Sequence, residues 1–279
     1  MKKVEILGVT INSITSDHLQ AAIEKFLDSK GPNLICTPNT EFIVTAQEDA
    51  YFKEILNNTS KLNLPDGFGL LWAAKFNTLP VPNVKVIREI VIFFEWIFSL
   101  IIIPITPNFF KNPIRDRITG ADFTKDIARI AAEKNSRIFL LGGAPTVAER
   151  TALQLQTEIP NLKIGGVNSG KKEMVSEIIG AINKSRSEIL LVAFGSPKQE
   201  KWLAENLLKT KCKIGVGVGG SFDFIAGIKK RAPKWVQKSG LEWLFRLIQE
   251  PGRIKRQMAL PKFMWLVLEN RLRNIKTPS

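Results

Sequence analysis

The chain has 279 residues, 44% of them apolar, and a formal charge of +14. That length can bury one large core or two modest ones, and an ordinary apolar content without low-complexity tracts excludes a disordered protein. From residue 198 onward 18 Lys and Arg stand against 6 Asp and Glu, a net +12, and a basic excess concentrated this way points to an anionic partner: nucleic acid, phospholipid or a phosphorylated substrate.

Met1-Lys2-Lys3 leads straight into a strand pattern with no signal peptide, so a cytosolic location is expected. Val4 to Ile11 reads as a strand, and Ser16 to Ser29 as an amphipathic helix capped by Ser16. Asn33 to Thr37 is a strand ending at Thr37-Pro38-Asn39-Thr40, and a helix from about Glu41 to Asn57 follows. Lys61 to Leu64 is a short strand that ends at Pro65-Asp66-Gly67, and Leu70 to Lys75 is helical. The insert 79–114 breaks the rhythm. Within it the fourteen residues Ile90 to Ile103 have only Glu95 and Ser99 as polar members, whereas a spanning helix needs about 20 apolar residues. A membrane-dipping hairpin, an oligomer contact or internal packing all suit it better than a single crossing.

Alternation resumes at Thr119–Lys134 (helix), Arg137–Leu141 (strand) and Pro145–Glu158 (helix). Leu162–Val167 (strand), Glu173–Lys184 (helix), Glu188–Phe194 (strand), Pro197–Leu208 (helix) and Cys212–Val218 (strand) complete it. Strands separated by single helices predict an α/β fold, Rossmann-like, with a largely parallel sheet flanked by helices over residues 1–231. Residues 232–279 lose the strand signal and read as a basic, Trp-rich helical appendage outside the core. Cys36 and Cys212 lie in apolar runs and are expected to be core thiols.

Ligands of such folds sit at the carboxyl ends of the strands. Here those ends carry Asn39, Asp66, Gly142, Gly143, Gly195, Ser196, Gly219 and Gly220. Small residues that open a helix present backbone N–H groups to phosphate. Asp66, flanked by Pro65 and Gly67, is the candidate general base; the alternative is that it caps the next helix. Arg117 precedes a helix start and is either a diphosphate ligand or an ordinary solvated arginine. Gln199 and Glu200 either read sugar hydroxyls or cap a helix. Gly215-Val216-Gly217-Val218-Gly219-Gly220 fits G-x-G-x-x-G, but the acidic ribose partner expected about 20 residues on is absent, which argues against a dinucleotide. His18 is the only histidine, no Cys/His cluster has zinc spacing, and no Asp-x-Asp occurs, so neither metal nor cofactor is expected. Trp235, Trp243 and Trp265 among Lys and Arg suit a lipid headgroup interface, with nucleic-acid stacking or core packing as alternatives.

Taken together, Thr37-Pro38-Asn39, Pro65-Asp66-Gly67, Arg117-x-Thr119-Gly120-x-Asp122 and Gly195-x-Pro197-Lys198-Gln199-Glu200 resemble the WecG/TagA/CpsF glycosyltransferases of bacterial cell-surface polymers. So do Phe222-Asp223-Phe224, Arg231-Ala232-Pro233, Gly240-Leu241-Glu242-Trp243 and Glu250-Pro251. The resemblance implies an inverting, metal-independent transferase acting peripherally on the inner face of the plasma membrane. Its donor is a UDP-sugar of the N-acetylmannosamine type, and its acceptor N-acetylglucosamine linked to a polyprenyl diphosphate. It also implies Asp66 as base and a membrane-associating appendage whose arginines, here Arg231, Arg246 and Arg253, complete the site. Thr37 and Asn39 are then expected beside Asp66. Arg117, Gly142, Gly143, Gly195, Gln199, Gly219, Gly220 and Asp223 form the rest of the substrate-binding set. The partners expected are the two substrates, an anionic membrane surface and a further copy of the chain, with nucleic acid excluded. The insert departs from the family pattern, which passes from the Pro-Asp-Gly helix to Arg-x-Thr-Gly in a short loop. Rival readings are a nucleic-acid-binding protein and a non-catalytic membrane scaffold.

Overall fold

The computed structural model of the protein describes residues 2–170 and 175–274. Its centre is a six-stranded parallel sheet in the order β4-β3-β8-β7-β5-β6. The strands are β3 (Asn33–Cys36), β4 (Ser60–Asn63), β5 (Arg137–Gly142), β6 (Lys163–Asn168), β7 (Ile189–Ala193) and β8 (Ile214–Gly217). Alternate side chains leave opposite faces of a strand, and both faces here are covered, so the central strands read as unbroken apolar runs. Leu190 and Val192 of β7 join the core on one face, while Ile189 and Leu191 join the core on the other. The first face is packed by α2 (Thr40–Glu48), α4 (Phe68–Phe76) and α9 (Lys198–Asn206). The second is packed by α1 (Ser16–Asp28), α6 (Gly120–Glu133) and α7 (Val147–Glu158). The helix α8 (Val175–Ser185) lies between β6 and β7 in the chain.

Several local expectations change. Val4–Ile11 is not one strand but an antiparallel hairpin, β1 (Lys2–Ile6) and β2 (Val9–Ser13). Its turn residues Leu7 and Gly8 take φ of 51° and 75°, the left-handed pair that a two-residue hairpin requires. Helix α1 is entered through Thr15 rather than capped by Ser16, and Thr15 Oγ1 instead hydrogen-bonds Nδ1 of the exposed His18 at 2.8 Å. The helix expected over 41–57 breaks at Asp49, whose carboxylate accepts the Phe52 N–H at 2.9 Å and starts α3 (Ala50–Glu54).

The apolar insert forms one 18-residue helix, α5 (Lys85–Ile102). Among the described residues no helix is long and apolar enough to cross a membrane. One face of α5 packs inward: Arg88, Ile92 and Ser99 are buried, and Ser99 Oγ accepts the Trp72 indole N–H at 2.8 Å. The chain ends in α11 (Lys234–Lys238), α12 (Glu242–Gln249), α13 (Ile254–Gln257) and α14 (Ala259–Asn274), following a short α10 (Ser221–Ile225). Unlike the outlying helix the composition suggests, α14 packs on α2, α4 and α5 and sends Phe263, Val267 and Leu268 into the core. Trp96 Nε1 of α5 donates to its Met264 carbonyl at 3.1 Å, and Arg271 pairs with Glu95 at 3.0 Å. Trp72 joins these helices: it is 1% exposed, stacks on Phe76 and meets Phe263 edge-on. Trp72→Ala is therefore expected to lower stability by about 3–5 kcal/mol, read as a fall in Tm.

Candidate active site

The carboxyl ends of β3, β5, β6, β7 and β8 surround a cavity of about 530 Å³ lined by Thr37, Gly143, Gly170, Gly195, Gly219, Gly220 and Ser221. That is the size of an ordinary small-molecule site. Gln199, the second residue of α9, sets its shape. Its Oε1 accepts the N–H of Gly195 at 3.1 Å and of Gly219 at 3.0 Å, tying the β7 and β8 tips together. The Gln199 amide faces this way because its Nε2 donates to Glu200 Oε1 at 2.7 Å. Glu200 is fully buried, and burial pushes its carboxyl up to about 7. So two of the glycine N–H groups expected to meet phosphate are engaged by Gln199, and Gly143 N–H by the Ala193 carbonyl at 3.0 Å.

Asp66 stands where the polar cavity opens into a second one of about 300 Å³. Its position is set by the main chain. Asp66 N–H donates to the Pro38 carbonyl at 2.8 Å, and Ile118 N–H to the Pro65 carbonyl at 2.9 Å, strapping the β4 tip to β3 and to the entry of α6. Gly67 follows with φ 106° and enters α4 without a side chain toward the cavity, its nearest contact being Asn39 Cβ. Asp66 makes no cap to α4; instead its Oδ2 accepts the Gly120 N–H at the start of α6 at 3.4 Å. Burial raises its pKa to about 6; Arg246 and Arg117 pull it down, Glu242 pushes it up, and the Gly120 N–H pulls it down further. A carboxylate with this pKa at a cavity floor can take a proton near neutral pH.

The second cavity is apolar on its walls, with Trp72 and Phe68 from α4, Leu100 from α5 and Ile103 just after it, Leu241 and Trp243 around α12, and Phe263 from α14. Its floor is polar, with Asn39, Asp66, Arg117 and Glu242. The buried Glu242 carboxylate accepts from Arg246 at 3.0 Å and Arg117 at 3.5 Å, and Arg246 also lies over the Phe224 ring at 4.6 Å. Arg246, Arg253 and Arg256 line both cavities. Arg253 is held below its usual pKa by burial and by the neighbouring Arg256 and Arg246. Among the described residues the Nε atoms of Arg231, Arg246 and Arg253 are buried without a hydrogen-bond partner. Among the described residues no three His, Cys, Asp or Glu side chains converge to hold a metal ion.

The residues expected from sequence fall into four groups. Asp66 and Asn39 line both cavities, and Thr37 lines the polar one with its hydroxyl donating to the Gly217 carbonyl at 3.4 Å. Asn39 Oδ1 caps α2 at Phe42 N, 3.1 Å, which leaves its amide NH2 for a ligand. Gly143, Gly195, Gln199, Gly219, Gly220 and Asp223 line the polar cavity, Asp223 paired with Lys229 at 3.1 Å. Arg117 lies in the apolar cavity rather than with the strand-end glycines. Gly142 and Arg231 line neither cavity. A Cβ on Gly142 would come within 2.8 Å of the Ala193 main chain, so its lack of a side chain serves sheet packing. The Arg231 guanidinium is spent on Asp122 and on Thr119 Oγ1, the latter at 2.9 Å. Glu41 and Arg256, paired at 2.8 Å, also line both cavities, and no sequence motif singles them out. The signal available was their spacing, two residues beyond Asn39 and three beyond Arg253.

The sequence model described as the glycosyl transferase WecG/TagA/CpsF family matches residues 4–93 and 101–277. The departure from the family is therefore narrower than the whole of 79–114: residues 94–100, inside α5, are what the match leaves out. The chain is 28% identical over 267 residues to an N-acetylglucosaminyldiphosphoundecaprenol N-acetyl-beta-D-mannosaminyltransferase of Bacillus subtilis (strain 168), covering 96% of this chain and 91% of that protein. It is 26% identical over 271 residues to the enzyme of the same name from Bacillus spizizenii (strain ATCC 23059 / NRRL B-14472 / W23), with the same two coverages. A match over nearly the whole chain places this protein in the glycosyl transferase WecG/TagA/CpsF family.

Proposed function

We propose that the protein transfers an N-acetylmannosamine-type sugar, with inversion, from a UDP-sugar to N-acetylglucosamine carried on a polyprenyl diphosphate, in cell-surface polysaccharide or teichoic acid synthesis. The observation that carries this reading is the meeting of a polar and an apolar cavity on one carboxylate, Asp66. The polar cavity suits a nucleotide sugar, and the apolar one suits the lipid-linked acceptor that the Bacillus relatives are named for. Asp66 takes the proton of an acceptor hydroxyl, whose oxygen forms the new bond at the anomeric carbon. The bond from that carbon to the diphosphate oxygen breaks on the opposite side, and its electron pair leaves with UDP. Arg246 and Arg253 stand at the junction and stabilise the charge that develops there, the work a divalent ion does in other transferases. The enzyme is metal-independent on this reading. It works at the inner membrane face, with Trp235, Trp243 and Trp265, respectively 71%, 39% and 60% exposed, among the cations of residues 232–279.

The test is UDP release from a panel of UDP-sugars with a short-chain lipid-diphosphate N-acetylglucosamine acceptor, with and without EDTA. Release with one donor, unchanged by EDTA, is the expected result. Release abolished by EDTA would overturn metal independence, and UDP binding without release from any donor would overturn the acceptor.

A further inference from the structure

Among the described residues the outer face of α5 has no partner. Ile87, Ile90, Phe94, Phe98 and Ile101 on this face, and Ile105 just beyond the helix end, recur at steps of three and four residues and are between 51% and 71% exposed. The opposite face, with Arg88, Ile92 and Ser99, is buried against the protein. An 18-residue helix of this kind is about 27 Å long, and a contiguous exposed apolar surface of that extent marks an interaction site.

The place of this stripe identifies its occupant. At its carboxyl end the helix turns from stripe to cavity wall: Ile101 and Ile105 are exposed, while Leu100 and Ile103 line the apolar cavity that ends on Asp66. Ile103 packs at the Gly240 turn, where an added Cβ would lie 3.3 Å from its Cγ2. Beyond that turn Trp243, Leu244 and Ile248 of α12 are 39%, 38% and 72% exposed. The cavity mouth is thus flanked on both sides by apolar side chains, on a chain of net charge +14. From this continuity we infer that α5 lies in the plane of an anionic lipid bilayer as a lipid-seating helix, with the cavity mouth opening into the lipid. The acceptor's hydrocarbon arm then runs from the cavity along α5 without crossing water. The inference rests on the proposed use of a lipid-linked acceptor. A second copy of the chain on the stripe would instead cover the side of the mouth through which that arm leaves. Phe94 and Phe98 fall within the residues 94–100 outside the family match, whereas Ile87, Ile90, Ile101 and Ile105 lie inside it.

The test combines Ile90→Glu/Phe94→Glu/Phe98→Glu with a single label. Cys36 and Cys212 are 0% and 3% exposed, so Phe98→Cys carries the reactive thiol for an environment-sensitive fluorophore. Adding vesicles of phosphatidylglycerol and phosphatidylethanolamine should shift its emission to the blue. The triple variant should partition onto those vesicles roughly ten- to a hundredfold more weakly. Its turnover on a polyprenyl acceptor embedded in the vesicles should fall in step, while turnover on a water-soluble short-chain acceptor stays unchanged. An unshifted label, or a triple variant that partitions like the parent, would overturn the seat. So would a parent dimer that the triple variant dissolves with no change in vesicle binding. A blue shift and lost partition without UDP release from either acceptor would support the seat and overturn the transferase reading.

Discussion

Asp66→Asn is expected to lower turnover by about a hundred- to ten-thousandfold and to leave UDP affinity, measured by titration calorimetry, unchanged. The amide keeps the shape of the carboxylate at the junction of the two cavities but cannot accept the proton of the attacking hydroxyl. Because Asp66 works as the carboxylate and titrates at about 6, the parent's rate should fall as pH is lowered through that value, and the fall should be absent from the residual rate of the variant. The same burial affects folding. The carboxyl is harder to ionise in the folded protein, at about 6, than at its ordinary value of 3.8. Stability is therefore lost as pH rises from 3.8 to about 6, and the loss persists above. Asp66→Asn should raise stability by roughly 1–3 kcal/mol at pH 8, seen as a higher Tm, with the gain gone at pH 3. Unchanged turnover would remove Asp66 as the base.

Arg253→Ala should lower kcat/KM by about a hundred- to a thousandfold without lowering Tm. Its guanidinium is crowded by Arg246 and Arg256 and, among the described residues, pairs with a carboxylate only at Glu250, 3.8 Å away, and leaves Nε without a hydrogen-bond partner. A half-buried cation so poorly matched contributes little to folding, and it is poised for the negative charge that forms as UDP departs. Arg253→Lys should not restore the rate, because an ammonium cannot present two parallel N–H groups to a diphosphate. Activity near the parent's, or a loss of Tm in proportion to the loss of rate, would remove Arg253 from the reaction.

The parts of the site legible from sequence are those where one short segment states both its structure and its chemistry. An apolar run closed by Pro65-Asp66-Gly67 announces a carboxylate held at a strand end, because the strand needs the apolar residues and the turn needs the glycine. Thr37-Pro38-Asn39 does the same at β3. Gln199 and Glu200 are next to each other in an ordinary helix start, and nothing local reveals that β8 lays Gly219 against the Gln199 amide, twenty residues on. Arg117 precedes a helix and looks available to a phosphate until Glu242, 125 residues later, takes it to the apolar cavity. In α14 the cations and the exposed Trp265 conceal a helix face of Phe263, Val267 and Leu268 that belongs to the core.

The sequence by itself determined the layered α/β architecture, the parallel sheet, the strand-end position of Asp66 and the family. Those properties follow from periodicity and turn chemistry, which act over a few residues, and from motifs read one at a time. The tertiary structure alone decided that two cavities share Asp66, that Arg246 and Arg253 from the end of the chain line both, and that α5 buries one face and leaves the other bare. These depend on which distant segments pack together, and packing is set by the whole core at once rather than by any stretch of it.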